Sequence, residues 1–328
     1  MPRDAHIVIT DSGLGGLSIC ALLEQGLRVT GRAGHVRLTY VNAWPFEDRG
    51  YNDLPDEAER ALVFDAALAR MAQMQPDRIL IACNTLSVLY PRTAFSLHPA
   101  VPVHGIVDAG VDLFVEHLAS DPASSIVLLG TRTTIESGVH KARLEERGIH
   151  PQRIAARSCH GLAAAIERNV GGPRTAELIS ECAARAAAAA PPGSTLFLGL
   201  CCTHYGYVAV RLVDAVAGLT SRRVTWLDPN YRMSASLLGG AGVFESGGSE
   251  NDTGVAGPDV TGRPEEWAGP RLDRESAGAP SGVTISVELV SKVILSETAR
   301  AGIARLVEPI SPATAGALLS YAHVPDLF

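Results

Sequence analysis

The chain has 328 residues, a formal net charge of -7 and a sequence pI of about 5.8. That length accommodates two domains of ordinary size with a substantial core. The acidic balance, with no long Lys/Arg run, argues against nucleic acid as a partner, and no apolar stretch reaches the roughly 20 residues needed to span a bilayer.

Residues 1–6 lead directly into an apolar strand at 7–10, an opening unlike a signal peptide. The strand ends at Asp11-Ser12-Gly13-Leu14-Gly15-Gly16-Leu17-Ser18, and a helix is expected from 17 to about 27. Glycines there allow a tight turn and close backbone approach to a ligand. A strand end that feeds a helix start also offers free N–H groups to an anion. Gly13-x-Gly15 begins a dinucleotide fingerprint, but Ser18 stands at its third glycine and no Gly-Lys-Ser/Thr follows. A small carboxylate is therefore the better guest.

A second strand is expected at 36–41, then a loop over 42–55 that carries Trp44, Phe46 and Tyr51. A helix from about 56 to 74 has apolar residues at helical spacing. The run Ile79-Leu80-Ile81 then breaks into Ala82-Cys83-Asn84-Thr85. Short apolar runs of this kind read as buried parallel strands, and open α/β sheets bind ligands at the carboxyl ends of such strands. A helix from 85 to about 95 would place Cys83 at a helix N-terminus, which favours the thiolate.

Another helix is expected at 108–118. The strand at 125–129 ends at Gly130-Thr131-Arg132-Thr133-Thr134. Helices follow around 135–147 and 160–169. An Ala-rich helix runs from about 174 to 190, where Pro191-Pro192-Gly193 stops it. A strand at 195–198 delivers the second cysteine motif, Cys201-Cys202-Thr203-His204-Tyr205. A helix at about 207–217 and a strand at 223–227 lead to Asp228-Pro229. Over 239–282 Gly, Ser, Pro, Glu and Asp dominate, which reads as a long insertion or linker. A strand at 283–289 and a helix at about 296–306 would return to the sheet.

Two thiols thus stand at matching strand tips, each beside hydroxyl and amide groups. The α-proton of an amino acid is a very weak acid, and inverting that carbon needs a base on one face and an acid on the other. A thiol, with a pKa near 8.5, can fill either role. Each residue alone has a plainer reading. A cysteine in an apolar strand is most often a small buried hydrophobe, and Asn84-Thr85 also fits a helix cap. Cys201, Cys202 and His204 lack a second ligand pair at zinc spacing. Cys20, Cys159 and Cys182 show no polar pattern, and all six cysteines are expected to stay reduced.

Taken together, Asp11-Ser12-Gly13-x-Gly15-Gly16-Leu17-Ser18, Ala82-Cys83-Asn84-Thr85 and Cys202-Thr203-His204-Tyr205 resemble the aspartate/glutamate racemase superfamily, most closely the glutamate racemases. Val103-His104-Gly105-Ile106-Val107 and Leu129-Gly130-Thr131-x-x-Thr134-Ile135 extend the likeness over nearly the whole chain outside 239–282. The resemblance implies an α/β fold of two α/β domains with mostly parallel sheets and an active site in the cleft between them. Residues 1–100 and 205–328 would form the first domain and 101–204 the second. It also implies a cytoplasmic isomerase that works without metal or pyridoxal phosphate. Its partner would be a small amino-acid substrate, with no nucleic acid and no membrane, and a homodimer is left open. Supply of D-glutamate for peptidoglycan is the implied role.

By the same resemblance, Cys83 and Cys202 are the acid–base pair, Asp11 assists Cys83 and His204 assists Cys202. Cys202 is preferred to Cys201 because side chains alternate along an extended strand and because Thr203-His204 follows it. Ser12, Asn84, Thr85, Thr131 and Thr203 would hold the carboxylates and the ammonium, with Tyr51 among the binding residues. One departure stands out. Glutamate racemases carry Pro-Tyr-Gly after the second strand, whereas here the loop reads Asn42-Ala43-Trp44-Pro45-Phe46-Glu47-Asp48-Arg49-Gly50-Tyr51-Asn52. Glu47 and Asp48 would repel a side-chain carboxylate, and Arg49 would attract one. That loop is the feature that favours aspartate or another amino acid as the alternative substrate. A second alternative is a catalytically silent, racemase-like binding protein, against which the presence of Cys83, Cys202, Asp11 and His204 together speaks.

Overall fold

The structure is a computed structural model that describes residues 4–30, 34–239 and 284–328. Aliphatic and β-branched runs become strands and the amphipathic segments between them become helices. The first half comprises β1 (Ala5–Asp11), α1 (Leu17–Thr30), β2 (His35–Asn42), α2 (Glu57–Gln73), β3 (Arg78–Ile81), α3 (Asn84–Leu89), β4 (Val103–Gly105) and α4 (Ile106–Ser120). Next come β5 (Ser125–Gly130), α5 (Arg132–Glu136), α6 (Val139–Glu146), β6 (Ile154–Ser158), α7 (Leu162–Asn169), α8 (Pro173–Ala189) and β7 (Thr195–Cys201). The chain continues with α9 (Ala209–Ala217), β8 (Arg223–Leu227) and α10 (Pro229–Gly239). It closes with β9 (Thr284–Ser291), α11 (Glu297–Val307), α12 (Pro312–Leu319) and β10 (Ala322–His323).

These strands form two sheets, one six-stranded in the order β10-β9-β2-β1-β3-β4 and one four-stranded in the order β6-β5-β7-β8. Every pairing is parallel. Parallel strands need crossovers, which the helices supply, and so the inner strands β1, β3, β5 and β7 are buried along most of their length while the outer β4, β6, β9 and β10 are partly exposed. Alternation sorts the core. Ile7 and Ile9 of β1 pack with α1, whereas Val8 packs with Phe64, Leu68 and Met71 of α2. In β5, Val127 and Leu129 join the cluster of Ile7 and Ile9, and Ile126 and Leu128 pack with Phe114 of α4. A single apolar cluster therefore includes residues of both sheets. The α/β class and the pair of parallel sheets match the expectation.

Sheet membership differs from the expected boundaries at 101 and 205. β4 edges the first sheet, and β8 pairs with β7 from Thr195↔Arg223 to Gly199↔Leu227 in the second. Nothing in a five-residue strand states which of two parallel sheets it joins. α3 stops at Leu89 rather than near 95, and the chain tightens into a 3₁₀ turn over Tyr90–Arg92. Pro91 lacks the N–H that a longer helix would use. The helix expected over 135–147 is split into α5 and α6 by Gly138, at φ 67°. The segment read as an insertion, 239–282, lies outside the described residues from 240 onward.

The cysteines also differ from expectation. Cys159 and Cys182, expected to be reduced, form a disulfide with Cα atoms 5.5 Å apart. The fold brings the residue after β6 against the middle of α8, a meeting that sequence spacing does not disclose. The other four cysteines are free and buried.

Candidate active site

A cavity of about 520 Å³ opens where the carboxyl ends of the two sheets face each other. Asp11, Ser12, Cys83, Asn84 and Thr85 line it from the tips of β1 and β3. Thr131, Cys202, Thr203 and His204 line it from the tips of β5 and β7, and Tyr51 from the loop after β2. Every site residue singled out from the sequence thus opens onto one space.

The glycine-rich turn after β1 is closely packed. A Cβ on Gly15 would lie 2.4 Å from Thr203 Oγ1 and 2.7 Å from His204 N. A Cβ on Gly16 would lie 2.7 Å from Ala82 O. The glycines let this turn press against the 203–204 backbone of the other sheet. Its N–H groups are used by the protein's own carboxylates. Gly16 N donates to Asp11 Oδ2 at 2.6 Å, and Leu14 N donates to Glu167 Oε2 at 2.9 Å.

Asp11 is buried at the end of β1, and Thr203 Oγ1 donates to its Oδ2 at 2.8 Å. Burial pushes its carboxyl upward, while the His204 charge and the Thr203 hydroxyl pull it back down. Ser12 stands between Asp11 and the first thiol, with Oγ 3.5 Å from Asp11 Oδ1 and 3.3 Å from Cys83 Sγ. Cys83 caps α3, its Sγ accepting from Leu86 N at 3.4 Å. The expectation that this position lowers its pKa fails. Burial, then the nearby Asp11 charge, hold the thiol well above its ordinary range, and the Ser12 and Leu86 donors only partly offset them.

The second thiol has a different escort. Cys202 Sγ lies 3.9 Å from His204 Nδ1, and His204 Nε2 lies 2.7 Å from Glu167 Oε2. Burial works against charging His204, but hydrogen bonds and charges from Cys202 and Glu167 outweigh it and hold the imidazole well above its ordinary value. Neighbouring Cys201 packs with Phe114 and Ile126, in a different apolar cluster from Cys202. Strand alternation separates the two as expected.

Three hydroxyls meet across the gap between β3 and β5. Thr85 Oγ1 is 2.9 Å from Thr131 Oγ1 and 3.3 Å from Thr134 Oγ1, and Thr131 Oγ1 donates to Thr134 Oγ1 at 3.0 Å. Thr131 also caps α5, with Thr134 N donating to it at 3.3 Å. Tyr51 is buried with its ring edge-on to Phe64, and its hydroxyl has no protein partner. The loop that carries it is tied to the second sheet by Thr133 N, which donates to Asn52 Oδ1 at 3.1 Å. Trp44 lies where a Gly50 Cβ would be, its Cη2 at 2.6 Å, so glycine before Tyr51 is a packing requirement.

Glu167, on α7, was missed by sequence reasoning. It bonds to both His204 and the glycine turn and lines the cavity. Its helix shows only an ordinary amphipathic pattern, and no motif marks it. Glu47, Asp48 and Asp53 line the cavity together with Arg132 and Arg168, but Arg49 does not: its guanidinium sits over the Phe46 ring at 4.9 Å. Glu47 Oε1 accepts from Ile294 N at 2.9 Å, tying the two mouth loops together. Among the described residues no group of three or more His, Cys, Asp and Glu side chains could hold a metal ion, and no helix is long and apolar enough to cross a membrane.

Comparison with known proteins points the same way. The model of the Asp/Glu/Hydantoin racemase family matches residues 8–225. A glutamate racemase of Granulibacter bethesdensis is 31% identical over 235 residues, covering 69% of this chain and 75% of that protein. A glutamate racemase of Brucella anthropi is 28% identical over 275 residues, covering 81% and 90%. The crystal structure of glutamate racemase from Francisella tularensis in complex with D-glutamate shares the fold, with a TM-score of 0.62 at 17% identity over 93% of this chain and 94% of that one.

Proposed function

The chain belongs to the Asp/Glu/Hydantoin racemase family, and on that premise we propose that it interconverts L- and D-glutamate by proton transfer between two thiols. The observation that carries the reading is that Cys83 and Cys202, delivered by different sheets, line one cavity. A substrate lying between them presents one face of Cα to each sulfur. One sulfur, as thiolate, takes the α-proton. The other, as thiol, delivers its own proton to the opposite face, and the carbon is inverted. The net exchange is one proton in and one out.

In this reading the two thiols start in different roles. Cys83 is held as the thiol and is the acid. Cys202 is the base, and His204 exchanges a proton with it, steadied by Glu167. The roles reverse for the other isomer. The Thr85, Thr131 and Thr203 hydroxyls, Ser12 and the Asn84 amide offer neutral hydrogen bonds to carboxylates and ammonium. Such preorganised donors in a buried site stabilise the charge that develops as the α-proton leaves. Provision of D-glutamate for peptidoglycan is the role that follows, in the cytoplasm where its precursors are built.

A second reading keeps the machinery and changes the substrate to aspartate or another amino acid. It is favoured by Arg49 turning onto Phe46 instead of into the cavity, whose wall carries Glu47, Asp48 and Asp53 alongside Arg132 and Arg168. The test for both is α-proton exchange in heavy water, followed by NMR on L-glutamate, D-glutamate and aspartate. Deuterium incorporation with interconversion of the glutamate isomers is expected. Exchange confined to another amino acid would overturn the substrate, and no exchange on any would overturn the racemase reading.

A further inference from the structure

Asn84 opens α3, is 2% exposed and lines the cavity beside Cys83. Its Oδ1 lies 3.0 Å from Nε2 of His140, and its Nδ2 is buried with no protein partner. His140 comes from α6, in the other half of the molecule, and is also 2% exposed. Its remaining ring nitrogen, Nδ1, has no partner either. The mechanism above makes no use of this histidine.

Burial pushes the His140 imidazole down to about 4, and the positive charge of Arg143 acts in the same direction. The ring is neutral at physiological pH and carries one N–H. Its position decides what Asn84 shows the cavity. With the proton on Nε2, the ring donates to Oδ1 and the amide is left with its NH₂ group to offer. With the proton on Nδ1, Nε2 accepts instead, the amide reverses, and its oxygen is offered. Orphaned N–H groups are rarer in protein interiors than under-used acceptors. A partnerless Nδ1 therefore costs less as a bare lone pair than as an N–H, and the Nε2–H form is favoured.

We propose that His140 is a positioning residue that, as the Nε2–H tautomer, holds Asn84 with its amide donors available to a carboxylate of the substrate. The identity of that substrate rests on the racemase reading above, whereas the pairing of His140 with Asn84 does not.

The pairing is read first without substrate. Long-range ¹H–¹⁵N spectra of the ligand-free, histidine-labelled protein should show His140 as the Nε2–H tautomer, unchanged between about pH 8 and pH 5. An Nδ1–H tautomer, or a titration near 6.5, would overturn the proposal. The second arm is kinetic. His140→Leu should raise KM for the racemised amino acid about tenfold with kcat little changed, because a lost donor loosens binding more than chemistry. His140→Gln, which keeps an N–H donor, should recover most of that loss. An unchanged KM in His140→Leu, or Gln no better than Leu, would sink it. If the leucine variant does not fold, the tautomer of the unmodified protein decides alone. Wild-type protein inactive on glutamate would remove the substrate assignment and leave the tautomer result standing.

Discussion

Glu167 takes the Nε2–H of His204 at 2.7 Å, and the same carboxylate oxygen takes the N–H of Leu14 at 2.9 Å. One side chain on α7 thus steadies both the imidazole beside Cys202 and the turn that carries the residues next to Asp11. Its charge is part of what holds His204 well above its ordinary pKa.

Removing that charge while keeping the shape is the informative change. In Glu167→Gln the support for the imidazolium falls, so His204 gives up its proton at lower pH. The basic limb of the kcat profile should move to lower pH, and kcat should fall about ten- to a hundredfold, within the usual range for weakened acid–base assistance. The pH–rate profile of the variant against the wild type measures both. A profile that drops without moving would reduce Glu167 to packing.

The thiol pair gives the sharpest kinetic prediction. Cys83→Ser and Cys202→Ser should each cut racemisation by about a thousandfold or more, because a serine hydroxyl is far too weak an acid or base for the α-proton. Both sulfurs are small and buried, so circular dichroism and melting temperature should stay close to wild type. A single variant racemising at the wild-type rate would remove the two-base assignment.

Both cysteine motifs were legible in sequence because each is local: an apolar run, a break, then Cys-Asn-Thr or Cys-Thr-His. Two parallel sheets were legible for the same reason. What the sequence hid is what arises between distant segments. Glu167 sits on a helix whose apolar face explains its pattern fully. Cys159 and Cys182 look like two isolated core cysteines until β6 and α8 meet. The environment of Cys83 was misjudged for a related reason. A helix start is visible locally, but the burial and the Asp11 charge that outweigh it come from another strand. The expected boundaries put β8 with the first domain, since a five-residue parallel strand looks alike in either sheet, whereas it edges the second.

Gly15 tests the contact between the two halves. A methyl group there meets Thr203 Oγ1 at 2.4 Å and the His204 backbone nitrogen at 2.7 Å, and backbone cannot step aside. Gly15→Ala should destabilise by about 1–3 kcal/mol, the usual cost of overpacking, and should lose most activity by displacing Thr203 and His204. Gly302, within α11, has nothing within 4 Å of a Cβ. Gly302→Ala should instead stabilise by about 0.5–1 kcal/mol through helix propensity. Thermal melts of the two variants should move in opposite directions. A Gly15→Ala protein as stable and active as wild type would mean that the turn is not pressed against Thr203.

Asp228, at the carboxyl end of β8, gives a prediction in pH. It is buried beside Gly206, and burial raises its carboxyl from 3.8 to about 7, with Asn230 N donating to it at 3.0 Å as a partial offset. The neighbouring Asn230 side chain donates to Ser18 Oγ and to the Thr203 carbonyl, so this turn supports the site from behind. The fold prefers the neutral acid, which means that the folded state binds a proton more tightly than the unfolded chain. That contribution to stability is complete below about pH 4 and is lost as pH rises through about 7. A shift of about three pKa units corresponds to about 4 kcal/mol as an upper bound. Denaturant unfolding from pH 4 to pH 8 should show this decline superimposed on the rest of the molecule's titration. Asp228→Asn, which cannot ionise, should lack it, so the variant should gain on the wild type as pH rises from 4 to 8. Parallel stability curves for the two proteins across that window would show that Asp228 is already neutralised by a partner and carries no such cost.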